Sequence, residues 1–90
     1  MPLVIRQSTQ FRRDVKRLLR QGVNLSRLET IVTTLVAQEP LDVRFRDHAL
    51  IGDWKGFREC HIQPDWLLIY RIEDNELELA RTGSHAQLFG

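Results

Sequence analysis

Apolar residues return at helical spacing near the start of the chain. They form a stripe of Phe11, Val15, Leu18 and Leu19. Positions i, i+4, i+7 and i+8 share one face of an α-helix, and the basic residues of this segment lie on the other faces. The pattern predicts a helix over about residues 9–21. Ser8 or Thr9 can cap its start, because a side-chain oxygen there accepts a free N–H of the first turn.

A second stripe at the same spacing follows closely. Its members are Leu28, Ile31, Val32, Leu35 and Val36. Ser26 and Glu29 have the S-x-x-E spacing of a capping box, and Pro40 cannot continue a helix. The pattern predicts a helix over about residues 26–38, and the short connection predicts that the two helices form a hairpin.

The second half of the chain has the character of β-strands. Residues 40–55 lack sustained periodicity and are predicted to be mainly loop. Three strands follow, and the stretch P-L-V-I-R-Q supplies an earlier short one. Asp74 and Asn75 can adopt the left-handed conformation of the last turn. The three later strands are predicted over about 57–62, 66–72 and 76–82.

The order β-α-α-β-β-β predicts one α+β domain over residues 1–90, an antiparallel sheet with a two-helix hairpin packed on one face. The other face is then at least partly free for a ligand. One strand poses a conflict, because alternation places Arg81 on the same face as Leu77 and Leu79, which should meet the helices. Either the strand bulges near Ala80, or Arg81 lies past the edge of the core.

Composition narrows the class of protein. An apolar content of 42% and a charged content of 28% are ordinary for a globular domain. Cys60 is the single cysteine, so no internal disulfide can form, which fits a reducing compartment. The longest apolar run, W-L-L-I-Y, is too short to span a membrane. We expect a cytoplasmic protein without membrane contact.

The near-neutral net charge of +1 conceals an asymmetry. Residues 1–22 carry six Lys or Arg side chains against Asp14 alone, a net charge of +5. A basic helix is expected of a protein that contacts phosphates or an acidic partner, although a well-solvated helix face has the same composition. The candidate contacts are Arg12, Arg13, Lys16, Arg17 and Arg20.

The three histidines, His48, His61 and His85, each lie in or beside a loop. The local ligand pairs of a zinc site are missing, and Cys60 and His61 should point to opposite faces of a strand, so we expect no metal and no cofactor. Histidines suit the cleavage of RNA by its own 2′-hydroxyl, which needs a base and an acid near neutral pH. Arg81 can supply the fixed positive charge that this reaction also needs.

Two aromatic rings complete the candidate chemistry. Trp66 and Phe89 are platforms on which an unstacked base could lie. Trp66 can also serve packing, because it alternates with Leu68 and Tyr70, which are expected in the core.

Four motifs in the second half carry a resemblance to a known family. They are D-H-x-L, W-K-G-F-R, H-x-x-P-D-W and R-T-G-S-H-x-x-L-F, in this order within residues 45–90. Together they resemble the YafQ-type toxins of bacterial type II toxin–antitoxin modules, which belong to the RelE superfamily. The resemblance implies a β-α-α-β-β-β domain that enters the ribosomal A site and cuts mRNA, often at A-rich codons.

The resemblance also implies roles for residues at the motif positions. The acid–base set matches His48, His61, Asp65 and His85, with His85 as the general acid and either Asp65 or His61 as the base. His48 would hold the scissile phosphate together with Arg81. Trp66 and Phe89 would stack against bases or wedge between them.

The implied partners are a cognate antitoxin of the DinJ or RelB type, the ribosome and mRNA. Operator DNA would be bound only through the antitoxin complex. Two other functions use the same kind of domain. One is a non-enzymatic, gyrase-directed inhibitor like ParE, which lacks this set of histidines, and the other is a DNA-binding or purely structural module, although nothing here resembles a recognition helix with its turn.

Overall fold

The chain forms one five-stranded sheet with two long helices on one face, in a computed structural model that describes all residues from Met1 to Gly90. The elements are β1 (Val4–Gln7), α1 (Thr9–Arg20), α2 (Ser26–Val36), β2 (His48–Ala49), β3 (Arg58–Gln63), β4 (Trp66–Glu73), β5 (Glu76–Gly83) and α3 (His85–Phe89). The predicted α+β class and element order are confirmed. The structure adds α3, and it adds β2 with two 3₁₀ turns in the segment that was predicted to be mainly loop.

The strands lie in the order β1-β5-β4-β3-β2. Neighbours from β2 to β5 pair antiparallel, as predicted, whereas β1 pairs parallel to β5. A parallel pair of strands needs a long crossover connection between them. The α1–α2 hairpin is part of the segment that connects β1 to β5. The sheet is therefore mixed.

The main core lies between this sheet and the two helices. Phe11 and Leu18 of α1 and Ile31 of α2 pack with Cys60, Tyr70 and other strand residues. Burial raises the pKa of the Cys60 thiol to about 12, so Cys60 is a packing residue and not a nucleophile. None of the helices has the length and apolar character needed to cross a bilayer.

The helix starts agree only in part with their predicted caps. Ser8 caps α1, since its Oγ accepts the N–H of Phe11 at 2.9 Å. The capping box predicted at Ser26 does not form. The Ser26 N–H instead donates to the side chain of Asn24 at 2.9 Å, so Ser26 is already the first residue of α2.

A bulge in β5 resolves the conflict at Arg81. Ile69 pairs with Arg81, the next residue Tyr70 pairs with Leu79, and Ala80 is the extra residue between them. The Ser8 hydroxyl donates to the Ala80 carbonyl at 2.7 Å, which satisfies a backbone group near the disrupted ladder. The bulge brings Arg81 into register with Ile69 instead of continuing the alternation of Leu77 and Leu79, and the Arg81 guanidinium pairs with Asp14 of α1.

Asp14 holds the segment after the bulge onto α1. Its side chain is 1% exposed, in the helix stripe, whereas Leu19 of the predicted stripe is 57% exposed. The carboxylate accepts from Arg81 Nε at 2.8 Å, Arg81 Nη2 at 3.1 Å, Arg17 Nη1 at 3.1 Å and the Thr82 N–H at 3.1 Å. Burial alone raises the pKa of Asp14, but these hydrogen bonds and the Arg81 charge outweigh burial and lower that pKa below its ordinary 3.8.

We predict that Asp14→Asn lowers the free energy of unfolding by about 3 kcal/mol, because removing one partner of a buried ion pair leaves the other charges uncompensated. A depressed pKa stabilises the folded state above the ordinary value of 3.8, and this stabilisation is lost as pH falls through the lower pKa of the folded protein. Urea unfolding of both proteins between neutral pH and pH about 3 measures the difference. Asp53→Asn, at an exposed carboxylate, is the control. A loss that is small or constant across this range contradicts the assignment.

Candidate functional site

Two histidines converge on one buried carboxylate. Glu59 Oε1 lies 3.4 Å from His61 Nε2, and Glu59 Oε2 lies 3.9 Å from His48 Nε2. The two imidazole centroids are 6.4 Å apart. Strand pairing explains the arrangement, because His48 of β2 is in register with Glu59 of β3, and alternation places His61 on the same face as Glu59.

Glu59 is the site residue that sequence reasoning missed. It is 6% exposed, and charged side chains are almost never buried without partners. The signal was its position two residues before His61 on a predicted strand, which places both side chains on one face. Only the pairing with β2 adds His48 to the same group.

The turn that carries His48 is tied down on both sides. His48 Nδ1 lies 2.7 Å from the carbonyl oxygen of Arg46, a residue in the left-handed conformation with φ of 50°. Asp47 accepts from Tyr70 Oη at 2.6 Å and from Arg58 Nε at 3.3 Å. Burial raises the pKa of Tyr70, and the hydrogen bond to Asp47 raises it further, so Tyr70 remains a neutral donor. These contacts orient His48 across the sheet.

His85 is the first residue of the C-terminal helix α3. His61 is in register with Leu67, and Leu67 is in register with Gly83, so the start of α3 lies at the same end of the sheet as His61. Ser84 and Gln87 form a capping box at this start, a signal present in the sequence as S-x-x-Q. Asp65, in the turn between β3 and β4, accepts the backbone N–H of His85 at 3.1 Å. The turn thereby anchors α3.

The two candidate stacking rings have different environments. Phe89 is 39% exposed, and its ring centroid lies 5.0 Å from that of His85. Trp66 is 7% exposed in the main core, and its Nε1 donates to Thr82 Oγ1 at 2.9 Å. The packing alternative for Trp66 is therefore the observed one, and Phe89 is the ring that remains available to a base.

Two arginines expected at functional surfaces are bound to Asp14. Arg81 donates through Nε and Nη2, which leaves Nη1 without a partner in the protein. Arg17 also donates to the Thr82 carbonyl at 3.3 Å and to Gln87 Oε1 at 3.4 Å. Arg17 is thus a structural residue of the basic helix, in contrast to its exposed neighbours Arg12, Arg13, Lys16 and Arg20.

The family model for the bacterial toxin of the type II toxin–antitoxin system, YafQ, matches residues 3–90. The chain belongs to the YafQ family. It is 41% identical over 87 residues to the mRNA interferase toxin YafQ of Escherichia coli K12, covering 96% of this chain and 95% of that one. The predicted family is therefore confirmed.

Solved structures of similar proteins agree with the fold. A copper-bound mutant toxin from Helicobacter pylori superposes with a TM-score of 0.92 and 48% identity, covering 97% of this chain and 99% of that one. The YafQ chain of the Escherichia coli DinJ–YafQ complex superposes with a TM-score of 0.91 and 40% identity, covering both chains completely. In this YafQ-family chain, residues of three of the four C-terminal motifs form two neighbouring groups: His48 and His61 lie beside Glu59, and Asp65 accepts the His85 N–H.

We predict that Gly83→Ala loosens α3. At its φ of 155°, an added Cβ would lie 2.7 Å from Gln87 Oε1 and 2.9 Å from Arg17 Nη2, displacing both side chains. Backbone strain and clash together should cost about 2–3 kcal/mol and speed amide hydrogen exchange in residues 85–89. Gly22→Ala is the matched control, since Gly22 also has positive φ but no atom within 4 Å of the added Cβ. Equal effects of the two substitutions would contradict the prediction.

Proposed function

We propose that this YafQ-family chain is an endoribonuclease, an mRNA interferase that cuts messages in the ribosomal A site, at A-rich codons. The reaction is metal-free acid–base catalysis with attack by the 2′-hydroxyl. A DinJ- or RelB-like antitoxin in the cytoplasm neutralises the toxin. The observation that carries the proposal is the convergence of His48 and His61 on Glu59, beside the helix that starts at His85.

The chemistry needs no nucleophile from the protein. The base takes the proton of the 2′-hydroxyl, the 2′-oxygen forms a bond to phosphorus, and the bond from phosphorus to the 5′-oxygen breaks. The acid gives a proton to the leaving 5′-oxygen, so the products are a 2′,3′-cyclic phosphate and a free 5′-hydroxyl. Histidine can serve in both roles near neutral pH.

We assign His85 as the acid and His61 as the base. Glu59, 3.4 Å from His61 Nε2, can orient the ring, as the carboxylate of a catalytic triad does. Asp65, the other candidate base, already gives one oxygen to the His85 N–H. This favours Asp65 as the residue that positions the acid.

The remaining residues of the site bind the substrate. Arg81, held by Asp14, presents Nη1 to the scissile phosphate, and His48 supports the same group. The exposed ring of Phe89 stacks against a base. On the ribosome, the exposed basic residues of α1 face rRNA phosphates, a contact that depends on charge and not on sequence. Operator DNA is bound only through the antitoxin complex.

We predict that the purified protein produces codon-phased mRNA 5′ ends in a translation reaction, and that His85→Ala lowers their yield by about 100-fold or more, as expected for a lost general acid. Glu73→Ala, exposed at the opposite end of the sheet, is the control that keeps full activity. Primer extension maps the ends. Intact message together with inhibited gyrase would overturn the proposal in favour of a ParE-like inhibitor.

A second substitution pair separates the two candidate bases. Asp65→Asn keeps an oxygen that can accept the His85 N–H and removes only the charge that could accept a proton. If Asp65 is not the base, the cleavage rate should therefore stay within about threefold of the wild-type rate. His61→Ala should lower the single-turnover cleavage rate on the ribosome by about 100-fold. The reverse ranking of the two variants would make Asp65 the base.

A further inference from the structure

A groove runs along the open edge of β3 beside the candidate site. Its volume is about 610 Å³, and it lies between α2, the 3₁₀ turn at Val43–Phe45 and the end of β3. The edge is open because β2 pairs only with Arg58 and Glu59. We call it the basic groove, and its walls include Arg27, Ile31, Arg44, Phe45, Arg46 and His61.

The arginines of the basic groove have no carboxylate partners. Arg27, Arg44 and Arg46 are exposed, and none of them forms an ion pair. No Asp or Glu lines the basic groove. Unpaired cations around a concave surface create a local positive potential that favours a polyanion.

The basic groove is continuous with the candidate site. His61 contributes to both, because it lines the basic groove and its Nε2 lies 3.4 Å from Glu59. Arg46 connects them a second time, because its carbonyl oxygen contacts His48 Nδ1. Arg46 also keeps a left-handed φ of 50°, which is uncommon for a residue other than glycine and is found preferentially at functional sites.

The basic groove also offers a stacking surface. The Arg44 guanidinium carbon lies 4.8 Å from the centroid of the Phe45 ring. Arginine and aromatic planes are the groups on which unstacked bases of single-stranded RNA rest. Phosphate-binding cations and a stacking surface therefore occur together.

We propose that the basic groove binds single-stranded RNA, through backbone phosphates that flank the bond being cut. The inference rests on the proposed function. It states where the mRNA strand runs on the protein once it leaves His61. The competing occupant is an acidic segment of the antitoxin, which could pair with the open edge of β3. The absence of carboxylates along the whole wall and the Arg44–Phe45 stack favour RNA.

The test uses an A-rich RNA oligonucleotide methylated at every 2′-oxygen, which cannot be cut and so reports binding alone. Fluorescence anisotropy across a range of salt concentrations gives the dependence of affinity on salt. Each lost phosphate contact should lower the magnitude of the log–log slope by about 0.7, and at about 50 mM salt this corresponds to about an eightfold loss of affinity. Arg27→Gln, Arg44→Gln and Arg46→Gln combined should lower the slope by about 2.

Arg6→Gln is the matched single-charge control for Arg44→Gln, because Arg6 is exposed on β1 at the far edge of the sheet. Replacing the three groove arginines by lysine keeps their positive charges, so this variant should keep the salt slope. Thermal melts check that all variants fold. Unchanged RNA binding in the triple glutamine variant, with or without weaker binding of the antitoxin, overturns the proposal, as does a wild type that fails to bind the oligonucleotide.

Cleavage in the translation reaction is scored separately, so the two proposals can fail independently. If the wild type makes codon-phased cuts and the triple variant binds the oligonucleotide as tightly as the wild type, the groove proposal fails and the nuclease proposal stands. If the wild type binds the oligonucleotide but cuts no message, and the triple variant loses that binding together with its salt slope, the groove proposal stands and the nuclease proposal fails.

Discussion

The buried carboxylate of Asp14 is the interaction on which the C-terminal half of the site depends. It accepts from two arginines and from the Thr82 N–H where β5 changes register. Without it, two cations and a backbone donor would face the core uncompensated, which is costly in a low-dielectric interior. Because β5 after the bulge carries Arg81, Gly83 and then α3, one helix residue sets the position of both His85 and Arg81, the cation proposed to bind the phosphate.

Strand alternation separates packing from chemistry. Cys60 and Ile62 of β3 point into the main core, whereas Glu59 and His61 point to the opposite face of the sheet, on which Leu88 of α3 packs. The same rule explains why neighbouring residues have such different properties. Cys60 is a buried thiol with a pKa of about 12, and His61 is half-buried at the wall of a groove. The sheet is thus both the core of the domain and the mount of its site.

The arginines divide into two classes that composition cannot distinguish. Arg17, Arg58 and Arg81 are held by carboxylates and stabilise the fold or orient the site. Arg27, Arg44 and Arg46 have no such partner, and their positive charge is available to an anion. The electropositive surface is therefore determined by which cations lack an acid, and not by the net charge of +1.

Sequence alone determined the two helical stripes, the three later strands and the left-handed turn at Asp74 and Asn75, whose φ values are 51° and 64°. It also placed His48 and His85 beside loops, whereas His61 lies within β3. These features depend on contacts within a few residues, where periodicity and turn chemistry decide. Tertiary structure alone decided the parallel β1, the bulge at Ala80, the burial of Asp14 and Trp66 and the place of Glu59 between two imidazoles, because each depends on partners far apart along the chain.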